Sequence, residues 1–368
     1  QNDGPWQAVG AGLPPDVRTS SPRMGDDGSL TVLVQGRGES PYIYLSTEGG
    51  DTWVQPVPEP PIFVDQESLL LSPAFSTDGT AYAAVSWGQP QRILDGGQWE
   101  DFGPPGEWTS SALQMSPAFD RDGLLLMRLD DNGLWRSTDR GDTWADVSGP
   151  WGEEAPRDVA PARSYVLKAA TFSPAFAQDG VLLSQAGQAL YRSADGGQTW
   201  SEVLDLEPRM VSAVFSPDYD QSGEVYLLQG RNLYHSQDRG ATWRTLPPAP
   251  WLDGNEVRLL LSPAYAQDRT LLAWTPGGEM YGSQDGAQTW NDASQGLPGD
   301  SVRQIAFAPD YASSRLVYLV PHPGGLYKRV GEGAWVPATE YVQPATPVPP
   351  ATLTPPAPAT STAAVSYT

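Results

Sequence analysis

The chain of 368 residues contains no cysteine, so disulfides and thiol chemistry are excluded from the outset. Lysine occurs only at Lys168 and Lys328 and histidine only at His235 and His322, and the two histidines lie far apart without metal-ligand spacing. Long apolar runs are missing too, and no stretch approaches the roughly 18 residues of a membrane span. Phosphate-binding and dinucleotide fingerprints are absent, as is any Asn-x-Ser/Thr acceptor. Asp120 to Gly123 has the look of the start of a calcium loop but lacks the remaining ligands. No cofactor or metal is expected. Positive charge is scarce: 44 acidic against 22 basic residues leave a net charge of −22, which repels phosphate backbones and anionic lipid and argues against nucleic-acid partners.

What the chain has in abundance is turn formers, 38 Gly and 37 Pro, and a repeat. A Ser-Pro-Ala-Phe-like phrase begins at Ser21, Ser72, Ser116, Ser173, Ser216, Ser262 and, with Ala for Ser, Ala308, at intervals of 43 to 57 residues. Asp-Gly follows at Asp78-Gly79, Asp122-Gly123 and Asp179-Gly180, drifting later to Ser222-Gly223, Asp268-Arg269 and Ser314-Arg315. Flanked by apolar runs, this dipeptide predicts a tight hairpin turn with positive φ.

The second phrase of each repeat is Ser-x-Asp-x-Gly-x-Thr-Trp. It is complete at Ser137, Asp139, Gly141 and Trp144, at Ser193, Asp195, Gly197 and Trp200, and at Ser236, Asp238, Gly240 and Trp243. Glu48 replaces Asp in one copy and Ala287 replaces Gly in another, while the copies around Trp99 and Trp335 are eroded. Short Ser and Asp side chains hold a tight turn, Gly supplies backbone freedom and Trp gives a large surface to bury, so the phrase predicts a self-stapled second hairpin. Two hairpins per repeat make four strands, and seven such units predict an all-β fold, a seven-bladed β-propeller of four-stranded antiparallel blades.

The phrase resembles the Asp-box, or bacterial neuraminidase repeat, of propellers found in sialidases, sortilin-type receptors, some xyloglucan-cleaving enzymes and photosystem II assembly factors. The resemblance covers roughly residues 17 to 339. It implies the blade and leaves function open. The first repeat is also similar to a sialidase opening, with Arg18, Gly28-Ser-Leu and Gly36-Arg37, yet Thr-Ser-Ser follows Arg18 in place of Ile-Pro, Glu39 is the nearest carboxylate after Arg37, and no Tyr-Glu nucleophile pair is assignable.

Residues 1–341 are expected to form the propeller. Trp6 to Leu13 echoes Trp290 to Leu297, so residues 1–16 read as a closing strand: either Trp6 pairs beside the last outer strand or Trp335 is displaced. Residues 342–368, rich in Pro, Ala, Thr and Ser, read as an extended tail open to O-glycosylation, which either folds back on its own propeller or docks on the next copy, Ala364 to Tyr367 adding a strand there and building a filament. A start at Gln1 fits a mature form after signal removal, hence a secreted or surface-displayed glycoprotein.

Blade geometry sends both repeated turns to one end and the variable connections to the other. Pro60 to Glu67, Phe102 to Ser110, Ser148 to Leu167 and Pro247 to Glu256 bring Phe63, Trp108, Trp151 and Trp251 together with Asp65, Glu153, Glu154 and Asp253, a mixture suited to stacking on a sugar ring or capping blade ends. Arg18, Lys168, Arg258 and Arg303 enter innermost strands and are expected at the channel mouth, where sialidases hold a substrate carboxylate. His235 takes the slot held by Arg192 in the preceding repeat and is expected on an exposed strand position. The expected function is a non-catalytic interaction or structural propeller, whose partners are proteins, itself included, or glycans. A carbohydrate-active, sialidase-like enzyme or glycan binder is the alternative.

Overall fold

The computed structural model describes residues 12–13, 18–19, 23–24, 29–35, 42–58, 69–83, 89–106, 111–129, 133–148, 170–186, 188–207, 212–247, 250, 257–297, 301–322 and 324–338. They form seven four-stranded antiparallel sheets, the blades of an all-β propeller. Blade 5 is representative: Ser212–Phe215, Val225–Gln229, Asn232–Ser236 and Arg244–Thr245 pair in chain order. Blades 2, 3, 4, 6 and 7 repeat that order, starting at Leu69, Ser111, Thr171, Arg258 and Val302. In blade 1 the pieces Arg18–Thr19 and Arg23–Met24 both pair with Leu30–Gln35, which pairs in turn with Tyr42–Ser46.

The outermost strand of blade 1 shrinks to a single bridge, Leu45 to Val54. Its cause is legible. In blades 2, 3, 5, 6 and 7 the third residue after the Trp donates its N–H to the third strand: Phe102, Val147, Leu246, Ala293 and Ala338 bond to the carbonyls of Pro90, Leu134, Leu233, Met280 and Leu326. Blade 1 has Pro56 at that place, and proline has no N–H to give.

The connection between first and second strands departs from expectation. Asp-Gly does join two antiparallel strands with a positive φ, but in place of a tight hairpin turn a single helical turn precedes the glycine, as at Phe75–Asp78, Phe119–Asp122 and Phe176–Asp179. The reason lies upstream. Ser72 Oγ donates to Asp78 and accepts from the Ala74 N–H, folding the phrase back on itself before the dipeptide is reached. The positive φ does occur, as the left-handed residue ending that turn: Gly79 at 55°, and in the drifted copies Arg269 at 52° and Arg315 at 54°. Its carbonyl then accepts an N–H from the second turn of the same blade, Arg140 to Gly123, Gly196 to Gly180 and Arg239 to Gly223, which fixes both turns at one end.

The core is divided among the seams between blades. Ile43 and Val57 of blade 1 pack with Leu69 and Phe75 of blade 2, and Tyr82 and Phe102 with Leu113 and Phe119. Leu126 and Leu134 meet Phe176 and Leu182; Leu183 and Leu190 meet Tyr219 and Val225; Tyr226 and Leu228 meet Tyr265 and Leu271; Leu272 and Met280 meet Ile305 and Val317. In blades 2 to 7 the Trp of the second turn packs in the core shared with the preceding blade, so burial of its ring joins neighbours as well as closing its own hairpin.

Candidate functional site

The complete Ser-x-Asp-x-Gly-x-Thr-Trp turns have the stapled geometry their composition predicts. Ser137 Oγ donates to Asp139 Oδ1 at 2.7 Å and accepts the Gly141 N–H at 2.8 Å. Asp139 also accepts from the Thr143 N–H and hydroxyl, and Trp144 Nε1 donates to the Gly141 carbonyl at 3.1 Å. Ser193, Asp195, Gly197 and Trp200 repeat the pattern, as do Ser236, Asp238, Gly240 and Trp243. Desolvation would push the carboxyls of Asp139, Asp195 and Asp238 upward, but the hydroxyl and amide donors outweigh it and hold all three below the ordinary value of 3.8. These aspartates are ionised structural acceptors. In the eroded copies the indole turns elsewhere: Trp99 Nε1 donates to the Pro58 carbonyl and Trp335 Nε1 to that of Ala293, both on chain leaving the preceding blade. Trp335 is buried beside its paired strand Val336–Pro337, so displacement of Trp335 is ruled out.

Third-strand arginines clamp successive blades at this end. Arg92 donates to the Arg140 carbonyl, Arg136 to that of Gly196 and Arg192 to that of Arg239, each reaching the second turn of the following blade at 2.7 to 2.8 Å. In blade 5 the same slot holds His235. Far from exposed, it is buried, stacked on the Tyr226 ring at 4.5 Å and joined to Glu224 at 2.9 Å through Nε2. Arg244 reaches Nδ1 at 2.9 Å; a guanidinium only donates, so Nδ1 accepts and Nε2–H faces the carboxylate. Arg269 of blade 6 forks onto Glu224 at 2.5 and 2.7 Å and lies over the Tyr265 ring, whose hydroxyl meets that of Tyr226. Burial pushes the Glu224 carboxyl up, but donors from His235 and Arg269 and the Arg269 charge reverse this and bring it from 4.5 down to about 2. Burial raises both tyrosines.

A glutamate, a histidine, two tyrosines and arginines are the groups from which acid, base and nucleophile are drawn. Here the carboxylate, imidazole and phenols are inaccessible: Tyr226 and Tyr265 are 0 % exposed, His235 1 % and Glu224 3 %, while Arg269 and Arg244 reach the surface. A substrate has no way in, and the network joins two blades. Sequence reasoning missed it, although Glu224 was the signal, a carboxylate where other repeats carry Thr80, Leu124, Val181 or Thr270.

At the opposite end, Arg258 and Arg303 lie at the starts of adjacent innermost strands, both exposed, with Arg258 Nη1 3.5 Å from the Arg303 carbonyl. Arg18 is described in its backbone alone, paired with Gln35, and Lys168 lies outside the described residues. So do Phe63, Asp65, Trp108, Trp151, Trp251, Glu153, Glu154 and Asp253, and the tail 342–368. Phe102, expected in a variable loop, is a core residue 5.2 Å from the Tyr82 ring. At this same end of blade 6 a cavity of about 430 Å³ is lined by Glu279, Met280, Tyr281, Asp292, Ser294 and Leu297. Burial, then the nearby carboxylates Glu279 and Asp292, raise the Tyr281 hydroxyl, and Glu279 Oε2 is buried without a donor among the described residues. Asp122 of the calcium-like segment is engaged by Ser116 and the Leu124 N–H.

No protein-family model matches the chain. Over 212 residues it is 28% identical to the oligoxyloglucan reducing-end-specific xyloglucanase of Emericella nidulans, covering 54% of this chain and 22% of that enzyme. Among solved structures it resembles the GH74 xyloglucanase of Xanthomonas campestris, with 20% identity, 85% of this chain and 53% of that one, at a TM-score of 0.50. YCF48 from Cyanidioschyzon merolae aligns at 16% identity over 88% of this chain and 98% of that one, with a TM-score of 0.47. The chain thus spans about a fifth of the fungal enzyme's length (22%) and about half of the bacterial enzyme's (53%), and the structural likeness is one of fold.

Proposed function

We propose that the chain is a non-catalytic propeller scaffold displayed outside the cytoplasm, binding a protein or a glycan at the end that carries the variable connections, with residues 342–368 as a connector. The observation that supports it is the fate of the reactive groups: Glu224, His235, Tyr226 and Tyr265 are spent on joining blades 5 and 6, out of contact with solvent. The experiment is hydrolysis of xyloglucan oligosaccharides and of a fluorogenic sialoside. No turnover above the blank is expected; turnover that disappears in Arg18→Ala, Arg258→Ala or Arg303→Ala overturns the reading.

A glycan as the ligand is the second reading. Sequence identity to a xyloglucanase supports it, as does the cavity on blade 6, where an aromatic ring stands beside two carboxylates and a serine, groups that stack on and hydrogen-bond a sugar. Xyloglucan oligosaccharide binding lost in Tyr281→Ala would select this reading over a protein ligand. Deleting residues 344–368 tests the connector: light scattering and electron microscopy should show a self-assembled state reduced to monomer.

A further inference from the structure

Arg128 is a buried cation that no carboxylate answers among the described residues. It stands next to last in the second strand of blade 3, Leu125–Leu129, paired with Ala112 and Leu134, at the end that carries the variable connections. Leu126, two places earlier, packs in the core shared with blade 4. Arg128 follows it onto that face, where Nη1 donates to the Gln185 carbonyl at 3.0 Å. Leu228 of blade 5 and Trp274 of blade 6 hold the corresponding register position and face the next blade from within an apolar core. In blade 3 a guanidinium stands where those blades place hydrocarbon.

Arg329 shows what a satisfied arginine of equal burial looks like. Both residues are 8 % exposed. Arg329 donates through Nε to the Gly331 carbonyl and through Nη1 to that of Ala293, lies over the Trp335 ring at 5.4 Å and has the Glu332 charge nearby. Arg128 has its one carbonyl, and its Nε is buried without an acceptor. Burial alone bears on its charge, pulling its pKa down. A guanidinium does not shed its proton in a protein, so the cost of burying the charge is offset only by an anion. The edge of the fork that holds Nε takes a carboxylate side-on through two parallel hydrogen bonds. One guanidinium balances one negative charge, which favours a carboxylate over a phosphate dianion in a chain already at −22. The opening is narrow, and it suits a carboxylate on a slender aliphatic stem better than one set directly on a sugar ring. We propose that Arg128 anchors a carboxylate of a protein partner, an acidic side chain or a chain end, entering the seam between blades 3 and 4 from the variable-connection end. The site rests on the reading of that end as the binding end, whereas its test is read at Arg128 and is independent of turnover.

The probes are a capped glutamyl dipeptide, its glutaminyl match and glucuronate, titrated into the full chain while NMR follows the Arg128 Nε–H resonance, assigned by its absence in Arg128→Lys. The glutamyl dipeptide is expected to move that resonance downfield to saturation and to bind at least about tenfold more tightly than the glutaminyl one. Arg128→Lys keeps the charge but loses the fork, and calorimetry should show the glutamyl dipeptide binding it at least about tenfold more weakly. Arg128→Met, which restores the apolar chemistry of Leu228, should not bind it at all. An Nε–H that does not move, an equal response to the two dipeptides, or affinity retained in Arg128→Met overturns the proposal. Tighter binding of glucuronate than of the glutamyl dipeptide overturns it in favour of a glycan.

Discussion

Between blades 4 and 5 the joining arginine belongs to the earlier blade, Arg192 reaching the Arg239 carbonyl; between blades 5 and 6 it belongs to the later one, Arg269 reaching back to Glu224. The first seam places one guanidinium on a backbone acceptor, with Asp179 of blade 4 taking the Tyr219 hydroxyl of blade 5 at 3.0 Å and Arg239 standing 3.7 Å from it. The second buries a carboxylate and must satisfy it with Arg269, His235 and Gln237. A change at one position of the repeat, His235 for arginine, is accompanied by Glu224 at a second and by Arg269 at a left-handed position that Gly79, Gly123, Gly180 and Gly223 hold in other blades. In blade 6 Arg269 serves the buried pair Glu224 and His235, whereas Arg315, at the same left-handed position of blade 7, pairs with Asp268 of blade 6. Stapling the blade is the constant requirement, and the means of joining it to the next are exchangeable.

Removing the carboxylate should separate the two seams most widely. Glu224→Ala strands Arg269 and His235 and is expected to cost about 3 to 5 kcal/mol in chemical denaturation. Acid should follow the same group. Because the folded value of Glu224 lies at about 2 against an ordinary 4.5, its contribution is fully present above pH 4.5 and is lost as pH falls toward 2. That is on the order of 3 kcal/mol, and the unfolding midpoint of Glu224→Ala should be correspondingly flatter over that range. Tyr226→Phe keeps the stacked ring but strips a donor from the Gly286 carbonyl and a partner from Tyr265, for about 2 kcal/mol by the same measurement. Arg192→Ala, at the simpler seam, should cost only about 1 kcal/mol, since its loss leaves one carbonyl unpaired. Equal costs for Glu224→Ala and Arg192→Ala would mean that the two seams are held alike.

The repeat was legible because the turns are local. Ser137, Asp139, Gly141 and Trp144 bond within one short segment, and their order in the sequence is their order in space. The helical turn at Phe75–Asp78 was misread because attention fell on Asp78-Gly79 when the deciding bond runs from Ser72, six residues earlier. His235 was misread for a different reason. Strand alternation tells which residues share a face; it does not tell that the face meets Tyr265 and Arg269 of another blade. The shortened edge of blade 1 was written plainly in Pro56, and became readable only once the other blades showed which N–H the position supplies. The cavity at Tyr281 joins the hairpin at Gly277 and Gly278 to the outer strand at Asp292, a proximity no motif records.

If reactive-looking side chains act as mortar between blades, Glu224 and Arg269 are coupled, and a double-mutant cycle on Glu224→Gln and Arg269→Gln reads this directly through denaturant unfolding of the four proteins. A coupling of at least about 2 kcal/mol is predicted, with the double variant less destabilised than the sum of the single ones. Additive effects, with a coupling below about 0.5 kcal/mol, would contradict it.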